Sequence, residues 1–174
     1  MPHLWFQTDR AWNVFPLEES PVALLPDSPV AISDVDTSDR VEAALHKRAN
    51  GAWLLFAPAH SETRVNGLRF PGIRLLQDRD EIRVSGKTLF FSTERLASVE
   101  AYAGASKAFC PRCRQEIANG TPAVQCPGCG VWHHENGDLN CWTYADHCAL
   151  CPQKTPLNDA YDACRSYQWT PEVM

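Results

Sequence analysis

A mostly β chain in two parts is what the sequence predicts: an antiparallel β-sandwich over residues 1–94, then a small module over residues 109–153 with too few apolar residues for a core of its own. Two observations lead there. Residues 11–94 break into short runs rich in Val, Ile, Leu, Phe and Trp, each of strand length and each bounded by Pro, Gly, Asn, Asp or Ser. Residues 110–151 hold seven of the chain's eight cysteines at close, repeated spacings. Residues 95–108 read as a linker between the two parts, and residues 154–174 as a tail.

The bulk properties narrow the class. With 44% hydrophobic and 21% charged residues in 174, the composition is that of a folded globular protein, and no apolar run approaches the length of a bilayer span. Residues 1–105 carry eleven Lys/Arg against fourteen Asp/Glu, and residues 106–154 carry four of each, so neither part offers the basic face of a nucleic-acid reader. The opening Met-Pro-His-Leu-Trp has no basic region followed by an apolar one, and a cytoplasmic location is expected.

In chain order, the expected strands lie at 11–17, 22–25, 30–32, 41–45, 52–56, 63–65, 72–76, 81–84 and 88–91. Two hairpin signals stand out, Asn50-Gly51 and Asn66-Gly67, because Asn and Gly tolerate the positive φ of tight turns. Residues 93–107 are rich in Ala and Glu and lack Pro, which suits either a short linker helix or an extended arm. In the tail, residues 159–167 fit two helical turns with Tyr161, Cys164 and Tyr167 on one side.

The cysteines carry the chemistry. They run Cys110-x2-Cys113, Cys126-x2-Cys129, then His133-His134, then Cys141, then Cys148-x2-Cys151. Seven thiols and one imidazole fill two tetrahedral Zn²⁺ sites, and one site would leave half of them idle. A disulfide framework is the competing reading, but in a reducing compartment these spacings point to metal ligands. Each Cys-x2-Cys turn directs both thiolates at one ion while its backbone N–H groups face the sulfurs. Sequential pairing of the four half-sites would make two zinc ribbons in tandem. Alternate pairing, a cross-brace, is preferred, because the connections are short and apolar-poor and interlocked ions replace the missing core.

Cys110-Pro-Arg-Cys113, Val124-Gln-Cys126-Pro-Gly-Cys129-Gly-Val-Trp-His133-His134, Cys141-Trp142 and Cys148-Ala-Leu-Cys151 together resemble the binuclear treble-clef fingers of the RING and PHD type, in particular the prokaryotic RING family. The resemblance implies that His134 and not His133 is the ligand. It assigns Cys110, Cys113, His134 and Cys141 to one ion, and Cys126, Cys129, Cys148 and Cys151 to the other. The sequence departs from the family in the six residues of 135–140, where such fingers have a shorter link, in Arg112, where many ligases have an aliphatic residue, and in Pro152, where many have a cation. The nearest cation to that last position is Lys154.

Residues 12–17, 61–67 and 72–86 resemble the forkhead-associated (FHA) fold. Phosphothreonine readers of that family carry Gly-Arg after the third strand and Ser-x-x-His on the next loop. Here Ile32-Ser33-Asp34 and Asp36-Thr-Ser-Asp39-Arg40 place acids there and no histidine. Aspartates repel a phosphate, so the fold carries over and phosphopeptide binding does not.

The RING resemblance implies a finger with no nucleophile or base, which holds a loaded ubiquitin-conjugating (E2) enzyme in a reactive pose and so acts as a scaffolding E3 by positioning alone. The partners implied are an E2 and a ubiquitin-like protein. The expected docking groove is lined by Ile117, Trp132, Trp142, Tyr144, Leu150 and Pro152, with the opposing expectation that Trp142 packs inside the module. A noncatalytic adaptor is the second function class. In a third reading Cys164 is a thioester-forming nucleophile beside Arg165.

Overall fold

The structure is a computed structural model and describes residues 2–8, 11–18, 20–26, 28–35, 40–70, 72–157 and 167–171. It divides into two compact units, Met1–Glu94 with Pro171–Met174, and Arg95–Thr170. Among the described residues there is no α-helix, only a 3-10 turn at Ile32–Asp34, and no helix long and apolar enough to cross a membrane.

Among its described residues the first unit has eleven strands: β1 His3–Thr8, β2 Ala11–Pro16, β3 Val22–Leu24, β4 Pro29–Ala31, β5 Ala43–Lys47, β6 Trp53–Ala57, β7 Arg64–Val65, β8 Leu68–Arg69, β9 Gly72–Leu75, β10 Glu81–Val84 and β11 Lys87–Ser92. They form a six-stranded sheet in the order β2-β1-β11-β10-β7-β8 and a five-stranded sheet in the order β4-β3-β5-β6-β9. Every pairing is antiparallel. Alternation sets which side chains point inward: in β6, Trp53, Leu55 and Ala57 are buried while Leu54 and Phe56 are half-buried on the other face. The inward sets of both sheets, including Leu4, Leu24, Leu45, Leu55, Ile82 and Phe91, merge into one apolar cluster.

Each expected strand between residues 11 and 91 is present, but β1 was not legible in the pattern. His3, Leu4 and Trp5 are all buried, and a strand covered on both faces loses the alternation that marks a half-exposed one. β1 is nonetheless interior to its sheet, between β2 and β11. The Asn66-Gly67 turn has φ of 50° and 77° and joins β7 to the two-residue return strand β8. The Asn50-Gly51 turn joins β5 to β6, with Gly51 at φ 83°.

Asn66 does more than turn the chain. Its amide donates to Asp80 Oδ1 at 2.7 Å and accepts from the Glu81 N–H at 2.9 Å, and Asp80 Oδ2 accepts from the Gln77 N–H at 2.8 Å. Asp80 is buried, so its carboxylate depends on these donors. Asn66→Gly keeps a residue suited to positive φ but removes the side chain, and is expected to cost about 1–3 kcal/mol as a lowered denaturation midpoint. A midpoint equal to that of the parent would show the amide to be dispensable.

Residues 95–108 belong to the second unit and hold no helix, with strand at 99–101 and a bend at 105–106, which is nearer to the arm expected as one alternative than to the helix. Strand β12, Val99–Ala101, pairs with β15, Pro122–Gln125, which in turn pairs with β16, Trp132–His134. Strand β13, Ala108–Phe109, pairs with β14, Glu116–Ile117. A bridge from Ala97 to Leu157 brings the two ends of the module together. The helical turns expected over residues 159–167 fall, apart from Tyr167, outside the described residues, as do Cys164 and the acidic residues Asp36 and Asp39.

Candidate metal centre

The second unit is organised by loops that repeat one backbone pattern. In the first, the Cys110 N–H donates to the Gln115 carbonyl at 3.0 Å and the Arg114 N–H to the Cys110 carbonyl at 2.8 Å. In the second, Cys126 donates to Val131 at 2.8 Å and Gly130 to Cys126 at 2.8 Å. Both loops require positive φ directly after the second cysteine, 63° at Arg114 and 76° at Gly130. The last pair closes in the same way, with the Cys148 N–H donating to the Gln153 carbonyl at 2.8 Å. Gly128 packs closely there, since a Cβ would lie 3.2 Å from Gln153 Oε1 and 3.3 Å from Cys151 Sγ and either neighbour would have to give.

The third half-site is made from a strand and a loop. His134 ends β16, and its backbone carbonyl accepts from the Trp142 N–H at 3.1 Å, which draws Cys141 alongside it. The six intervening residues satisfy themselves: Asn136 Oδ1 accepts from the Leu139 N–H at 2.8 Å, Asn140 Oδ1 from the Gly137 N–H at 3.1 Å, and Glu135 Oε1 from the Thr143 hydroxyl at 2.7 Å. The extra length is therefore a closed polar turn that leaves the ligand geometry intact.

Two four-ligand clusters result. Cys110, Cys113, His134 and Cys141 form one, Cys126, Cys129, Cys148 and Cys151 the other, with the ligand atoms of each within 4.8 Å of one another. This is alternate pairing of the half-sites, the cross-brace. All seven described cysteines are free thiols and all are in the clusters. The separations fit zinc: tetrahedral Zn–S bonds of about 2.3 Å set S···S edges near ~3.8 Å, and S···N edges near ~3.5 Å. Cys126 Sγ to Cys151 Sγ is 3.5 Å, Cys129 Sγ to Cys148 Sγ 3.8 Å, and Cys113 Sγ to His134 Nδ1 3.4 Å. The two clusters are two zinc sites of a RING-type finger.

His134 has the second contact that a metal-bound imidazole needs. Its Nε2 lies 3.3 Å from the Glu116 carbonyl, and donating a proton there leaves Nδ1 as the ligand atom. His133 is fully buried beside the second site, with its ring edge-on to Trp142 at 5.1 Å and Nε2 3.9 Å from Cys148 Sγ. It packs against the ligands and is not one of them.

The thiols do not ionise alike. Burial works to raise Cys110, but the N–H groups of Cys113, His134 and Arg112 outweigh it and bring the thiol down to about 7. Burial, with the neighbouring Cys113 and Cys110, pushes Cys141 up to about 12. Burial likewise raises Cys126, against the N–H groups of Cys129 and Gly128. Thiolates crowded this closely need a cation, which on binding displaces their protons. The sign follows: lowering the pH returns protons to sulfur and weakens zinc binding. Zinc content followed by native mass spectrometry should fall from two ions towards none as the pH is lowered, and an unchanged count in acid would contradict thiolate ligation.

The expected docking residues separate into two groups. Ile117 and Trp142 are buried, at 1% and 0% exposure, and are corrected from partner-facing to core residues. Ile117 packs with Tyr102, Cys110, Ala123 and Cys141 around the first site, and Trp142 with Ala97, Val124, Cys126 and Cys148 around the second. Trp132 is half-buried, edge-on to Tyr102 at 5.1 Å. Tyr144 at 79% and Leu150 at 66% are exposed, as is Pro152. Ala97 and Tyr102 were missed as parts of the module because they precede the first cysteine, and the one signal there is Tyr102, a large aromatic in a stretch rich in Ala.

Comparison with known families agrees with this geometry. Residues 105–158 match the prokaryotic RING finger family 1. No curated protein matches the chain.

Proposed function

We propose that this protein is the E3-type component of a prokaryotic ubiquitin-like conjugation pathway, with the zinc module docking an E2 and the first unit recruiting a target or a second pathway member. The supporting observation is the exposed apolar set Tyr144, Leu150 and Pro152 beside the last zinc loop of a cross-braced finger. Large apolar groups held out by a rigid, metal-bound loop suit a protein partner. Every described cysteine is a zinc ligand, so such a finger accelerates transfer only by holding the E2 thioester in position. The FHA-like identity of the first unit rests on its sequence words and its two antiparallel sheets, and its role is recruitment without a phosphate clamp.

One observation favours the adaptor reading, in which the finger binds without activating. Lys154, the cation nearest to Pro152, has its Nζ 3.2 Å from the Tyr167 carbonyl and is held there. Discharge of a ubiquitin-like protein from its loaded E2 onto free lysine, with candidate E1, E2 and modifier proteins purified alongside, separates the readings. Acceleration that Leu150→Ala abolishes and Cys164→Ser leaves unchanged supports the ligase. Binding without acceleration supports the adaptor, and loss of activity in Cys164→Ser would move the chemistry to a thioester on that residue.

A further inference from the structure

One side chain that the ligand pattern does not require runs from one zinc site to the other. Arg112 sits in the turn between the ligands Cys110 and Cys113, and its backbone N–H faces the Cys110 sulfur. Its guanidinium donates from Nη2 to the His147 carbonyl at 2.8 Å, across 35 positions of sequence, and His147 directly precedes the ligand Cys148 of the other site. The same guanidinium lies 5.7 Å from the centre of the Tyr144 ring.

We infer that Arg112 is a positioning residue that couples the two zinc sites, so that filling one raises the affinity of the other. Three thiolates and an imidazole around a divalent ion leave the first site anionic, and four thiolates leave the second more so. A guanidinium between two such centres is favoured by both, and one arm of its planar fork, Nη2, holds the His147 carbonyl. With the first site empty, the Cys110-to-Cys113 turn keeps its backbone hydrogen bonds but loses the ion that ties its sulfurs to His134 and Cys141. The guanidinium then loses its aim, and the loop entering Cys148 loses its strut. By linkage the effect is reciprocal. His133, next to the ligand His134 and packed near Cys148, is a separate connection that persists when Arg112 is replaced. The share of Arg112 is therefore a difference between variants. The inference concerns metal binding alone and holds whatever the partner of the finger.

The test is chelator titration of the full-length protein, with the two-, one- and zero-zinc forms counted by native mass spectrometry. In the parent protein the one-zinc form should stay scarce. In Arg112→Met it should accumulate, with the ratio of second to first stepwise affinity reduced about tenfold or more. Arg112→Lys, which keeps the charge but not the fork, should fall between. Arg114→Met, in the same loop and exposed, should match the parent. The proposal is overturned if Arg112→Met keeps the parental ratio, or if Arg114→Met lowers the ratio as much. Should Arg112→Met take up no zinc, Arg112→Lys carries the test, and an unchanged ratio there overturns the proposal as well.

Discussion

Stripping zinc with a strong chelator is expected to unfold residues 95–157 while leaving the first unit folded. The module's apolar groups form two small clusters, and each includes zinc ligands among its members, Cys126 and Cys148 in one and Cys110 and Cys141 in the other. Without the ions these clusters surround unpaired thiols and have little else to hold them. A structural zinc site contributes about 10–16 kcal/mol to folding at neutral pH, far more than clusters of this size supply. The first unit, by contrast, has one continuous core drawn from both sheets and no metal ligand in it. Amide spectra should therefore keep the dispersed signals of the strands between His3 and Ser92 and lose those of the finger, and zinc should restore them. A chelated protein with the finger signals unchanged would remove the metal from the account of the fold.

Trp142→Ala is expected to be the most damaging single apolar truncation in the finger. The indole is fully buried against Ala97, Val124, Cys126 and Cys148, and edge-on to His133. Truncating a buried tryptophan costs about 3–5 kcal/mol, through lost transfer energy and the cavity left behind. In so small a module that should appear as a large fall in the unfolding midpoint and as easier loss of zinc from the second site. Leu150→Ala is the contrast. Leu150 is exposed, so its loss should change stability by no more than about 0.5 kcal/mol and act only on partner binding. A stable Trp142→Ala protein that has lost its partner would return this residue to the docking surface, from which its burial has removed it.

These expectations divide along the line between local and non-local information. The hairpin turns at Asn50-Gly51 and Asn66-Gly67 were legible because positive φ is a property of a residue and its immediate neighbours. The zinc half-sites were legible for the same reason, since two residues between cysteines suffice to point both sulfurs at one ion. Strand β1 was not, because burial on both faces erases the period by which strands are read.

What the sequence by itself determined is the ligand set, the turns, and the poverty of apolar residues that makes metal the organiser of residues 110–151. The pairing of the half-sites and the choice of His134, favoured by the short connections and by the family resemblance, are met in the folded clusters, whereas the tertiary structure alone decided which apolar side chains of the finger are spent inside it. It also brought Arg112 to a carbonyl 35 positions away. The physical reason is range: the spacing of neighbouring residues constrains only the few bonds between them, whereas pairing and burial depend on segments that approach one another only once the chain has folded.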